Sequence, residues 1–235
     1  MGCGAASPAI QTSHQSASSV SSVDQAIGEI MCTTQQTYQL ALQAFQSQRL
    51  RRDLADLAAE AQYQQLGQFF FEEMYGARDF RTRDEQAHRA HWFVHRVPGV
   101  TAHDVETVLD LLELTNQLDE EVADVLIALG APLDFDEAIY EHAYHLADRY
   151  TERVRQIELV IGALGNVHRL GRKKLLGLAL QGTHGLAHAV GMGDIHRFLR
   201  LGYQAIQPVR DIARFLDTIN TREKARLDRI YAAHE

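Results

Sequence analysis

From Thr33 to the C-terminus, apolar side chains recur every three or four residues, and no stretch alternates apolar with polar residues long enough to make a strand. That pattern restricts the chain to an all-α fold, because a helical apolar stripe is buried by packing against other helices. Tyr38, Leu42 and Phe45, followed by Leu50, Leu54 and Leu57, predict a long first helix to about Glu60. Gln65 to Tyr75 reads as a short aromatic helix closed by Gly76, and Asp84 as the cap of a third helix ending before Pro98-Gly99. Thr101 with Asp104 has the form of a capping box, and the stripe it opens runs to Leu129, where Gly130 and Pro132 stop it.

A longer helix is predicted from near Asp134, with one apolar stripe from Ile139 to Leu164. Gly165 and Gly171 flank a basic break at Arg172-Lys173-Lys174. The next segment, Leu175 to Val190, is apolar around most of its circumference and is expected to be the central buried helix. Within it Gly182 and Gly185 would let a neighbouring helix approach closely. Asp194 is placed as the cap of a further helix, and Pro208 restarts or kinks the chain before the stripe from Ile212 to Ile230. The expected architecture is a multi-helix bundle of about eight or nine helices in a single domain, residues 31–235, with a disordered N-terminal tail.

That tail, residues 1–30, carries seven serines and almost no large apolar side chains, so it cannot bury enough surface to offset its ordering entropy. It lacks the basic-then-apolar layout of a secretory signal, and it reads as an extension upstream of a start at Met31. The opening Met1-Gly2-Cys3 raises lipidation at Gly2 and Cys3, as in a host-delivered effector, but Ala6 stands where the acylation pattern asks for Ser or Thr. Cys3 and Cys32 are the only cysteines, which excludes a disulfide framework and a cysteine-built metal site. A net charge of −8 argues against nucleic acid as a partner, and no segment reaches the roughly 18 apolar residues of a membrane span. These features point to a cytoplasmic protein whose partner is another protein or a second copy of itself.

The run Phe69-Phe70-Phe71-Glu72-Glu73-Met74-Tyr75-Gly76 resembles the fingerprint of the bacterial FFLEELY motif protein family, with Phe71 and Met74 replacing the two leucines. The continuation Ala77 to Asp84 is similar to that family as well, and weaker likeness runs through Arg155–Leu159 and Phe198–Tyr203. The resemblance implies a bacterial helical domain of unknown function and supplies no activity. In physical terms, Phe69, Phe70 and Met74 are expected to face the core and Glu72 and Glu73 to lie elsewhere. Arg78-Asp79 and Arg83-Asp84 offer two guanidinium–carboxylate pairings, either a salt-bridged joint or a place to receive an anionic ligand or a partner's carboxylate.

Histidine stands out in the composition, at 12 residues. Asp84, His88, His91 and His95 project within about 60° of one another on a helix, a stripe suited to metal ligation or to a titrating surface. His88 and His95 lie about 10.5 Å apart along the axis, so a single ion would use His88/His91 or His91/His95 with ligands from another helix. Glu85 and His88 form one Glu-x-x-His unit without the second copy that a di-iron bundle needs. His184 and His188, at i,i+4 beside Gly177 and Gln181, form the other aligned set, and Glu141 with His145 reads as a surface ion pair. A transition-metal or haem site joining His184 or His188 to the Asp84–His95 stripe requires contact between the two helices. Phosphate loops, nucleophile elbows and His-Glu-x-x-His are absent from the sequence. The sequence therefore favours a non-catalytic binding, adaptor or regulatory protein, with a metal- or haem-binding bundle as the alternative.

Overall fold

The structure, a computed structural model, describes residues 16–74, Gln86 and residues 100–232. Its described residues form ten α-helices and no strand. They are α1 (Ser16–Asp53), α2 (Ala55–Ala58), α3 (Gln64–Phe69), α4 (Ala102–Ala128) and α5 (Glu137–Leu146). After these come α6 (Tyr150–Gly171), α7 (Lys174–Gly182), α8 (His184–Ala189), α9 (Gly193–Ile206) and α10 (Ile212–Ala232). A π-helical turn, Phe70–Met74, continues α3. The fold is the all-α single domain that the periodicity predicts. α1 begins at Ser16, and residues 1–15, with Gly2 and Cys3, lie outside the described residues.

The helix ends follow local chemistry. At α4 the Thr101 side chain accepts from the Asp104 N–H, and the Asp104 carboxylate accepts from the Thr101 N–H at 2.8 Å, the reciprocal box read in the sequence. Gly130 leaves α4 with φ +61°, a conformation cheap only for glycine. Asp136 caps α5 by accepting from the Ile139 N–H at 2.9 Å. Three expected helices divide. The first ends at Asp53, and α2 is a separate short turn. The predicted Asp134–Leu164 helix breaks between α5 and α6 at Asp148, whose φ of +50° a polar residue tolerates and a helix does not. Leu175–Val190 breaks at Thr183 and is not the central helix: Leu178, Leu186 and Val190 are exposed. Nor does Gly165 break α6, which runs on to Gly171.

That central place belongs to α6, which packs against α4, α10, α9 and α7. Two apolar clusters make the core. One joins Leu50, Leu54, Tyr63, Phe70, Leu111, Val160, Leu164, Phe215 and Ile219. The other joins Leu42, Val122, Leu126, Phe135, Tyr140 and Ala143. Along α1 the order is Leu42, then Gln46 and Arg49, then Leu50, and along α4 it is Leu111, Asp119, Val122. Each helix therefore crosses an apolar cluster, a polar layer and a second apolar cluster.

Candidate functional site

The polar layer is built by residues that a helical bundle ordinarily keeps at its surface. Gln46, Arg49, Asp119, Arg153 and Gln156 are all buried, at 4 to 7 % exposure. α1 and α6 present the arginines, α4 the aspartate, and α10 the facing Glu223 and Arg226. Arg49 donates from both terminal nitrogens to the Glu223 carboxylate, at 2.8 and 2.9 Å, a forked pairing that suits the planar guanidinium. Arg153 donates to Gln156 Oε1 at 3.0 Å and to the Leu118 carbonyl at 2.9 Å, stacks 4.3 Å from the Tyr144 ring centroid, and stands 3.6 Å from Asp119. Asp119 accepts from Gln46 Nε2 at 3.2 Å. Burial pushes the Asp119 carboxyl up, against the pull of Arg153 and Gln46. The Tyr140 and Tyr144 phenols are pushed up by burial too, with Arg153 and Arg49 opposing.

Outward from this layer an arginine–carboxylate ladder ties α1, α5 and α10 together. Arg226 bridges Asp53, Glu137 and Glu141 at 2.8, 2.8 and 2.9 Å, and Arg229 also donates to Glu141. Glu141 thus faces α10, half-buried at 18 % side-chain exposure, and its ion pairs are with Arg226 and Arg229. Burial pushes the Asp53 carboxyl up, but Arg226, Arg52 and Arg49 outweigh it and hold it below its ordinary value. A cavity of about 50 Å³ remains inside the polar layer, lined by Arg49, Tyr140, Tyr144, Arg153, Gln156 and Glu223 among others. Arg49 and Arg153 carry no signal in the sequence, because an arginine on a helix reads as solvated until its neighbours are known.

The aromatic motif does structural work. Phe69, Phe70 and Phe71 are all buried, and the π-helical turn rotates Glu73 inward, where Arg197 of α9 donates to it at 2.9 and 3.3 Å. Glu72 stays exposed, as expected, while Glu73 does not. Arg78, Asp79, Arg83, Asp84, His88, His91 and His95 lie outside the described residues. His184 and His188 are exposed, with ring centroids 4.6 Å apart, and His184 is 5.4 Å from His196. His196, which the sequence left isolated, is buried; its Nε2 donates to the Leu180 carbonyl at 2.8 Å and its Nδ1 has no hydrogen-bond partner. Partial desolvation, with His188, His196 and Arg200 nearby, pushes His184 below its ordinary value. Among the described residues no three His, Cys, Asp or Glu side chains are arranged to hold a metal ion.

Gln86 is the described link to the histidine-stripe segment. Its Oε1 accepts from the N–H groups of Asp194 and Ile195 at 3.1 and 3.0 Å, so Gln86, and not Asp194, caps α9. Gly182 and Gly185 face open space; the close helix approach is at Gly177, against Tyr203.

Fold and site together define an all-α domain whose core is divided by a buried arginine-rich layer. The chain belongs to the family described as a domain of unknown function, DUF8198, whose family model matches residues 31–235. No curated protein and no solved structure is matched by the chain. No helix among the described residues is long and apolar enough to cross a membrane.

Proposed function

We propose that this is a bacterial cytoplasmic protein that acts by binding, as an adaptor or regulator with no covalent chemistry of its own, through the outer side of α7, α8 and α9. The observation that carries this reading is the exposure of Leu178, Leu186, Val190 and Leu199, at 63, 58, 54 and 41 %. Each such side chain is worth about 1.5–3 kcal/mol when fully buried, so covering them would drive association. Arg172 and Lys173 are exposed just before α7 and Arg200 on α9, which suits a partner protein presenting an amphipathic helix with acidic residues beside its apolar stripe. The net charge of −8 works against a second copy as that partner. The likeness of Phe69–Gly76 to the FFLEELY motif supports the bacterial setting. A photo-crosslinking amino acid at position 186 tests the surface in cells: a discrete protein adduct is expected there and not from exposed position 217 on α10. Equal labelling from both positions, or none at 186, would overturn the reading.

A second reading, a transition metal or haem held by the two histidine sets, is favoured by one observation. Gln86, on the stripe-bearing segment, contacts the start of α9, and His188 packs against Gly193 in that same first turn. Metal analysis and an absorption spectrum of untagged protein test it. Stoichiometric metal lost in His91→Ala/His184→Ala is the expected result on this reading, and metal-free protein from both aerobic and anaerobic preparation refutes it.

A further inference from the structure

The polar layer leaves a buried hydrogen-bond donor, Arg49 Nε, without an acceptor. Both Glu223 oxygens are occupied by Arg49, and Gln156 Oε1 is occupied by Arg153. Arg49, anchored at its two terminal nitrogens, keeps a third donor: Nε is buried with no hydrogen-bond partner. Burial opposes ionisation of the Tyr140 and Tyr144 phenols, so both remain O–H donors at neutral pH, and both feel the charges of Arg49 and Arg153. The cavity these groups line has a volume of about 50 Å³. A single water needs about 10–15 Å³ on that measure, so the space suits a small ion with one or two waters and excludes a metabolite of ordinary size. Of the arginines on its walls, Arg226 is taken up by Asp53, Glu137 and Glu141 and Arg153 stands 3.6 Å from Asp119, and the donor left without a partner is Arg49 Nε. An anion there would meet that N–H and the two tyrosine hydroxyls, whereas a cation would find both Glu223 oxygens already taken by Arg49. Leu50, Phe70, Val160 and four further aliphatic side chains also line it, which favours an anion that surrenders its water readily over a strongly hydrated one.

We propose that this cavity is a binding site for a small monovalent anion of the halide class, chloride in the cell, seated among Arg49, Tyr140, Tyr144 and Arg153. The ion joins α1, α5 and α6 through charge-assisted hydrogen bonds and supplies an acceptor to Arg49 Nε. The site is separate from the α7–α9 surface and stands or falls without it.

Two measurements test the proposal. Crystals of the full chain soaked in sodium bromide are expected to show one anomalous peak in the cavity, within hydrogen-bond distance of the tyrosine hydroxyls; a water-filled cavity with no peak overturns it. Thermal unfolding in chloride is compared with gluconate at equal ionic strength. Above the dissociation constant the midpoint should rise by about 3–5 °C per tenfold increase in chloride. Tyr140→Phe/Tyr144→Phe keeps both rings and removes both donors, so it should abolish the difference between the two salts. A chloride effect retained in that variant is a general salt effect and refutes the site, as does its absence from the wild-type chain.

Discussion

The Arg49–Glu223 pair offers a direct test of the reasoning about the buried layer. Arg49 is 7 % and Glu223 17 % exposed at the side chain, and two forked hydrogen bonds join them. Arg49→Met fills similar space but leaves a carboxylate largely withdrawn from water without either of its donors. Breaking a buried pair this way costs roughly 3–5 kcal/mol, and the residual exposure of Glu223 places the expected loss near 3 kcal/mol. For a domain of this size that is about 6–12 °C in the unfolding midpoint. Arg49→Met/Glu223→Leu removes both charges and should cost about 1 kcal/mol, because no unpaired ion remains. Urea unfolding followed by far-UV ellipticity, with unchanged slopes as a control, gives the coupling energy directly. Single and double variants that add within about 0.5 kcal/mol would show that the pair is not coupled, and the account of the layer would fail.

Thr101→Ala should destabilise the protein by about 1 kcal/mol, and Asp104→Ala by more, since Asp104 also takes Arg169; equal losses in urea titrations would contradict the second role. Gly177→Ala places a methyl 2.5 Å from the Tyr203 hydroxyl oxygen and 2.7 to 2.9 Å from its ring, and should cost about 1–3 kcal/mol. Tyr203→Ala in the same chain should remove that increment, and a penalty that persists would locate the strain elsewhere. Asp53 and Glu137 are both held below their ordinary values: at Asp53 Arg226, Arg52 and Arg49 outweigh burial, and at Glu137 the hydrogen bond from Arg226 leads against burial. A carboxyl depressed on folding contributes stability that is complete above its unfolded pKa, near 4, and is lost as pH falls through the folded value. Stability should therefore drop steeply below about pH 4, and less steeply in Arg226→Leu; identical acid limbs would refute the assignment.

Most helices were legible because each carries its own signal. The Thr101/Asp104 box, the Gly130 stop and the basic break after Gly171 are local, and the structure keeps all three. The Asp148 break was hidden because the apolar stripe continues across it, and periodicity records faces without recording kinks. Leu175–Val190 misled for a related reason: apolar residues around a helix signal burial only if neighbours exist to cover them. The candidate site lay furthest from view. Arg49, Arg153 and Glu223 are separated by most of the chain, and what makes them unusual is their mutual proximity, which no spacing encodes. Histidine drew attention because its count is high, yet of the aligned histidines only His184 and His188 fall among the described residues. The buried imidazole beside them belongs to His196, which shares no i,i+4 pattern with either.

The division of the core into apolar, polar and apolar zones also governs alignment. Leucine faces are forgiving: sliding α1 by one turn along α4 would exchange one aliphatic contact for another at small cost. The same slide carries Arg49 toward the pocket of Val122 and Leu126 and removes it from Glu223. A charged side chain displaced in this way loses its counter-ion and its hydrogen bonds at once, a penalty no aliphatic mismatch approaches. The layer therefore works as an index pin: helices free to shear against one another in an oily interior are held at a single axial setting.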